Sequence, residues 1–310
     1  MRSAEHGDTL AARGTIGCEP SALQSLKARL AATLAEGGIV LLGEVHDNPA
    51  HHALQAWLIA GPPGERPERY RPPALVLEHV VADKQPVLDR LAGTDATSRA
   101  DPPEKRADAL LSALDWDHSG WPDRAMFAPV FRAAVASGMP ILAGNPARAT
   151  LRAVAKGDSE ALDADARRRL GLDVPLPVHL MDDLLSELEA SHCGVMPKAA
   201  FTGMAEAQRF RDAFMARALS SAAERHGGAV LLAGNGHVRA DRGVPYALRR
   251  ASPAARITTV MLLEVAEGEE TGNAPLAADA DGRPLADFVV LTPRTQRPDP
   301  CEEMRKRRAR

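Results

Sequence analysis

Along this chain, stretches with apolar residues at helical spacing alternate with short unbroken apolar runs. Ser21 to Glu36 carries Leu23, Leu26, Leu30 and Leu34 at helical spacing and halts at Gly37-Gly38, which predicts a helix. Ile39 to Leu42 is a four-residue apolar run, the mark of a buried strand. Asn48-Pro49 then offers an N-cap followed by a proline at the first helical position, predicting a helix through Trp57 to about Ala60. After a Pro- and Arg-rich loop, Ala74 to His79 reads as a second strand and Asp83 to Leu91 as a helix. A short helix is expected near Lys105 to Leu114 in otherwise loop-rich sequence, and a strong one over Asp123 to Ser137, closed by Gly138. Pro140 to Asn145 is a third strand. The pattern from Pro146 to about Arg225 is helical with interruptions, its last helix running from Ala205 to Arg225. "GAVLLAGNGH", "RITTVMLLEV" and "ADFVVL" supply three more strands.

Strands alternating with helices predict an α/β fold with a mostly parallel sheet flanked by helices. The weak alternation within the strands agrees with a sheet covered on both faces. We read residues 1–310 as a single domain, with approximately 146–225 a helical cap or insertion within it.

The polar residues fall in one kind of place. "VLLGEVH" puts Glu44 and His46 just past one strand, and "LVLEHV" does the same with Glu78 and His79. "ILAGNPAR" places Asn145 and Arg148, and "VLLAGNGH" places Asn235 and His237. Two of these phrases share the form Gly-x-x-His. The carboxyl ends of parallel strands form the ligand crevice of open α/β sheets, so Glu44, His46, Glu78 and His237 are expected to converge there. Gly43, Gly144, Gly234 and Gly236 would permit tight turns and close approach of a ligand. His79 ranks lower, because neighbouring side chains on a strand point to opposite faces. His51 and His52 lie in the first turn of a helix, whose dipole disfavours a protonated ring and keeps them available as neutral ligands, one of the two being read as packing or solvent-facing. His118, His179, His192 and His226 read as loop or helix-surface residues.

Composition narrows the function classes. The net charge of -3 leaves no basic footprint for nucleic acid. The one basic run, Arg305 to Arg310, reads as a solvated, frayed tail. No stretch reaches the ~18 apolar residues of a membrane span. Cys18, Cys193 and Cys301 are far apart and odd in number, so no disulfide framework is expected. "TIGC" ends in the Gly-Cys of a lipoprotein cleavage site, but the residues before it are too polar for a signal peptide, which leaves localisation open.

Together, "LLGEVHDNPAHH", "LVLEHV" with "DKQPVLDRL", "ILAGNPAR", "FMARAL" and "GNGHVRADRGVP" resemble the ChaN-like haem-binding family. That family is a branch of the haem-uptake/Tiki superfamily, which includes TraB-like proteins and is related to the erythromycin esterases. The resemblance runs from about Gly38 to Leu263. It implies an α/β core with a helical cap, a haem held in a pocket completed by a second subunit of a homodimer, and a role in iron acquisition. For Tiki-like members it implies a divalent-metal hydrolase built on the Gly-x-x-His histidines and the glutamates. The motif positions carried over are Glu44, His46, Glu78, Asn145, Arg148 and His237. The branch is associated with tyrosine ligation of haem iron, and this chain has only Tyr70 and Tyr246 to offer.

Two readings therefore stand. As a haem-binding module, the protein would ligate iron through a Tyr or His and hold the propionates with cations such as Arg148, with Asn145 and Tyr246 in the pocket. The apolar side chains of "GVMPKAAFTGMAEAQRF" would form its wall, or plain core. As a hydrolase, His46, His237 and Glu44 or Glu78 would bind a divalent ion, and a remaining glutamate would act as general base. Two glutamates and two Gly-x-x-His phrases favour the hydrolase on chemistry. The overall resemblance favours haem and iron binding, which is the function expected here, with the hydrolase as its alternative.

Overall fold

In the computed structural model, the six apolar runs and one further short strand form a seven-stranded sheet among the described residues, in the order β1-β7-β6-β2-β5-β3-β4. The structure describes residues 14–16, 19–61, 71–93, 101–266, 278–279 and 281–308. The strands are β1 (Gly14–Ile16), β2 (Ile39–Glu44), β3 (Ala74–Val81), β4 (Ile141–Asn145), β5 (Ala229–Gly234), β6 (Ile257–Val265) and β7 (Phe288–Pro293). Every pairing between them is parallel, so all carboxyl ends lie along one edge. The α-helices among the described residues are α1 (Pro20–Ala35), α2 (Pro49–Ile59), α3 (Gln85–Gly93), α4 (Pro103–Ala113), α5 (Arg124–Ala136), α6 (Arg148–Ala155), α7 (Ala164–Arg169), α8 (Val178–Ser191), α9 (Lys198–His226), α10 (Val244–Ala251) and α11 (Pro300–Arg308).

Strand alternation splits the core into two layers. Val40, Leu42, Leu75, Leu77, Val230 and Leu232 face α1, α2 and α5, packing on Leu26, Leu58, Phe127 and Phe131. Ile39, Leu41, Val76 and Leu231 face the other way, onto Met215 and Leu219 of α9 and Leu248 of α10. With apolar side chains needed on both faces, the strands read as continuous hydrophobic runs. Local signals set the helix starts: the Asn48 side chain accepts from Ala50 N and His51 N, and Asp123 accepts from Ala125 N.

Between β4 and β5 lie α6 to α9 among the described residues. The longest of them, α9, packs on β2, β3, β4 and β5, so it is part of the layer covering the sheet. Pro146 precedes the N-cap residue Ala147 and does not occupy the first helical position.

Two expectations are corrected. Cys193 and Cys301 form a disulfide, with Cα atoms 5.5 Å apart although 108 residues separate them. Spacing in sequence carries no information about a pair brought together only by folding. The basic C-terminal run is also helical as far as Arg308: α11 is anchored at its start by that bridge and by Asp299, whose carboxylate accepts from Cys301 N. The short β1 and the helix α10 were not anticipated either. No described helix is long and apolar enough to cross a membrane.

Closing a loop of 108 residues restricts the unfolded chain strongly. Replacing Cys193 and Cys301 by serine should lower stability by about 2–4 kcal/mol, read as a fall in melting temperature, and expose α11 to proteolysis. An unchanged melting temperature would mean that the bridge constrains nothing.

Candidate functional site

Glu44 is the last residue of β2 and is buried at 2% exposure. Its Oε1 sits 2.8 Å from His46 Nδ1 and 2.8 Å from His79 Nε2. Its Oε2 accepts from Gln55 Nε2 at 2.9 Å. Burial by itself would raise the Glu44 pKa, but the neighbouring histidines hold it far below the usual carboxylate range. Aromatic rings wall this half of the cluster: Trp121 lies 4.6 Å from the His79 ring and Phe127 also 4.6 Å. The buried His79 Nδ1 has no hydrogen-bond partner.

Glu78, one residue earlier on β3, faces the opposite layer. Its Oε2 accepts from Gly234 N at 2.7 Å, and its Oε1 pairs with Arg211 of α9 and stands 3.4 Å from His237 Nε2. His237, in the turn after β5, has Nδ1 2.6 Å from Asp212 Oδ1. Burial would depress the His237 ring, yet the charges of Glu78 and Asp212 outweigh it and push its pKa up to about 9. Burial would likewise raise Glu78, but His237 and Arg211 hold it well below its ordinary value. For Asp212 burial wins, and its pKa is raised despite the His237 contact.

His46 joins the two halves. It lies in the turn after β2, with its side chain 37% exposed against 0% for Glu44 and 1% for both Glu78 and the His79 side chain. Burial would lower its pKa, but the Glu44 hydrogen bond and the Glu78 and Glu44 charges raise it. The ring fits because of a glycine: a Cβ on Gly234 would lie 2.9 Å from His46 Nε2. The reverse holds at Gly43, where a Cβ would come within 2.2 Å of Asn235 Oδ1. Asn235 crosses over Gly43 to bond the backbone of Leu262 on β6. Each Gly-x-x-His phrase thus makes room for a side chain of the other. At Gly144 the close neighbour is the Leu77 carbonyl, 2.7 Å from a would-be Cβ. None of Gly43, Gly144, Gly234 and Gly236 takes the left-handed backbone of a tight turn.

The structure therefore brings Glu44, His46, Glu78 and His237 together at the carboxyl edge. Asn145 joins them indirectly: it is buried at the end of β4 and its Oδ1 accepts from Arg211 Nε at 3.2 Å. Arg148 opens α6, is exposed, and donates to the Ser119 carbonyl at 2.6 Å, close in sequence to Trp121. Tyr246 stands apart on α10, packed with Leu176, Leu184 and Ala205, and Tyr70 lies outside the described residues. His51 and His52 are both buried structural residues. His51 accepts from Val45 N and contacts Thr292, and burial lowers its pKa to about 4; His52 bonds the His46 carbonyl and faces Gln55. Phe201 and Phe210 are core residues of the helical layer.

Sequence reasoning missed Arg211, Asp212 and Gln208, whose side-chain nitrogen lies 3.2 Å from His237 Nδ1, and ranked His79 too low. Glu78 and His79 do point apart, but each direction leads into half of the cluster. A signal for α9 was present: Gln208 and Asp212 share the helical face of Ala205, Ala216 and Leu219, polar residues where apolar ones pack.

The donor chemistry can suit a cation. Glu44, His46 and His79 each offer one ligand atom, all within 4.8 Å of one another, a nitrogen and oxygen set that suits zinc-like ions.

A parallel sheet with a carboxyl edge holding carboxylate–imidazole pairs on both faces defines an α/β protein with an acid- and histidine-rich strand-end centre. The chain belongs to the family described as haem-binding uptake, Tiki superfamily, ChaN, whose model matches residues 30–248. Its fold is shared by ChaN of Campylobacter jejuni, solved for its cofacial haem binding, at 21% identity and a TM-score of 0.55 over 77% of this chain and 85% of that one. A Bacillus cereus crystal structure matches 78% of this chain and 69% of its own at 16% identity, but its TM-score of 0.28 carries no weight. No curated protein matches the chain.

His237 should titrate near pH 9 in the metal-free protein, well above its ordinary 6.5. A raised histidine contributes stability that is fully present below about pH 6.5 and is lost as pH rises through about 9. Urea unfolding of wild type should show that alkaline loss, and His237→Gln should flatten it. Ring resonances with a midpoint near 6.5 would contradict the ion-paired state.

Proposed function

We propose that the protein binds haem for iron acquisition and holds it at the carboxyl ends of its strands, with His46 toward the iron. The observation that carries this reading is the geometry of His46. Its Nδ1 is anchored on Glu44 at 2.8 Å, while the side chain is 37% exposed amid buried partners. A carboxylate on one ring nitrogen fixes the tautomer and raises the basicity of the other, the usual second partner of a metal-bound imidazole. That other nitrogen, Nε2, faces Gly234, so ligating iron would require the ring to turn outward. The Trp121 ring, 4.9 Å from His46, supplies an apolar wall for a macrocycle. Arg148 is an exposed cation tied to the backbone of the loop that carries Trp121, and it would offer a propionate a charge-assisted partner. Family membership and the fold shared with a haem-binding ChaN support the same ligand. By analogy with that family a second subunit would complete the pocket, making the functional unit a homodimer.

The Glu44, His46 and His79 donor set favours a second reading, a divalent-metal hydrolase of the Tiki, TraB or erythromycin-esterase type. A divalent ion there would supply Lewis acidity and activate water. Glu78 and the protonated His237 would then form the neighbouring acid–base pair, with Asp212 holding the His237 ring.

Haemin titration with a Soret readout, beside metal analysis of the protein as purified, separates the two. Saturable binding that is lost in His46→Ala supports haem. Arg148→Ala should weaken haemin by about tenfold to a hundredfold, the cost of one charge-assisted contact, and Arg148→Lys should recover part of it. A Soret band that Tyr246→Phe shifts and His46→Ala leaves alone would move the iron to α10. Stoichiometric divalent metal with only non-saturating haemin adsorption would favour the hydrolase.

A further inference from the structure

A cavity of about 480 Å³ opens between α9, α10 and the segment from Arg168 to Leu176. Its lining contains Asp212 but none of Glu44, His46, Glu78 or His237. Six arginines line it: Arg168, Arg169, Arg209, Arg217, Arg242 and Arg250. Its single carboxylate, Asp212, is taken up by His237 at 2.6 Å. Six guanidinium groups beside a single carboxylate give this lining a local positive surplus in a chain whose net charge is -3.

Some of these charges are matched from outside the cavity. Arg168 pairs with Asp165, Arg209 with Glu206, and Arg242 with Glu187. Arg209 is also fixed by donating to the Val174 carbonyl at 2.7 Å. Arg169, Arg217 and Arg250 have no acidic partner among the described residues, and Arg250 lies 5.7 Å from the Tyr246 ring. Within the wall, Arg242 is buried, and its Nη1 makes no hydrogen bond but lies 3.7 Å from Asp241 Oδ2, so its charge is already matched. The three unpaired guanidinium groups leave the cavity a positive surplus that an anion would offset. Leu172, Ala213 and Ala216 give the cavity apolar floor, which strengthens any charge pair formed above it.

We propose that this cavity binds a small polyanion, a ligand presenting at least two negative charges as phosphate or carboxylate groups, independently of the strand-end cluster. Arg217 and Arg250 supply forked donors from α9 and α10, and the fork matches the paired oxygens of either group.

The test is calorimetric titration of the whole chain with pyrophosphate and with citrate. At least one should bind saturably, and more weakly as salt is raised. Tighter pyrophosphate identifies a phosphate ligand, and tighter citrate a polycarboxylate. The double variant Arg217→Ala/Arg250→Ala should lose at least about tenfold in affinity at an unchanged melting temperature, since both side chains are exposed. The corresponding double lysine variant should recover part of the loss. His46→Ala should bind the probe as wild type does, so a failure of the strand-end haem reading leaves this result untouched. No saturable binding of either probe, or equal binding by the double alanine variant, would overturn the proposal. So would displacement of the probe by haemin, which would assign the arginines to haem carboxylates.

Discussion

The carboxyl edge of this sheet depends on how closely the ends of two neighbouring strands can approach. β2 and β5 pair in register, Gly43 beside Ala233 and Glu44 beside Gly234. Across that pairing, the missing side chain of Gly234 admits the His46 ring, and that of Gly43 admits Asn235. Both glycines have ordinary extended backbone, so it is space and not conformational freedom that the positions require. With His46 seated, its Nδ1 reaches Glu44; with Asn235 seated, the turn that carries His237 is tied to β6. A methyl group at either position would displace a polar side chain whose place in the cluster has few alternatives. The recurrence of Gly-x-x-His is thus accounted for by mutual accommodation between the two strand ends, whatever ancestry the phrases share.

Around that contact, burial and charge are balanced on two faces. Glu44 meets His46, His79 and Gln55 on the side of α2 and α5. Glu78 meets Arg211 and His237 on the side of α9, and Asp212 closes the second pair. Isolated buried carboxylates would be protonated; here opposite charges keep both glutamates ionised. His46 alone is substantially exposed, so any ligand from solvent would meet the cluster through that ring. The same logic separates the arginine-lined cavity, which shares Asp212 with the cluster but turns a surplus of positive charge to a different opening.

Much of this was legible in the sequence because the signals are local. Continuous apolar runs between helical patterns determined the strands, and parallel strands place their carboxyl ends on one edge, so Glu44, His46, Glu78 and His237 could be expected together. Asn48 followed by Pro49 determined the start of α2. Only the tertiary structure decided which side chains complete the cluster. Arg211 and Asp212 reach it from a helix far along the chain, and His79 enters because the face opposite Glu78 is also polar at that level. It likewise decided that Arg148 stays at the rim, that Tyr246 belongs to another cavity, and that Cys193 meets Cys301. The physical reason is the range of the information: period, caps and glycines act over a few residues, whereas proximity between distant segments is set by how whole layers pack on the sheet.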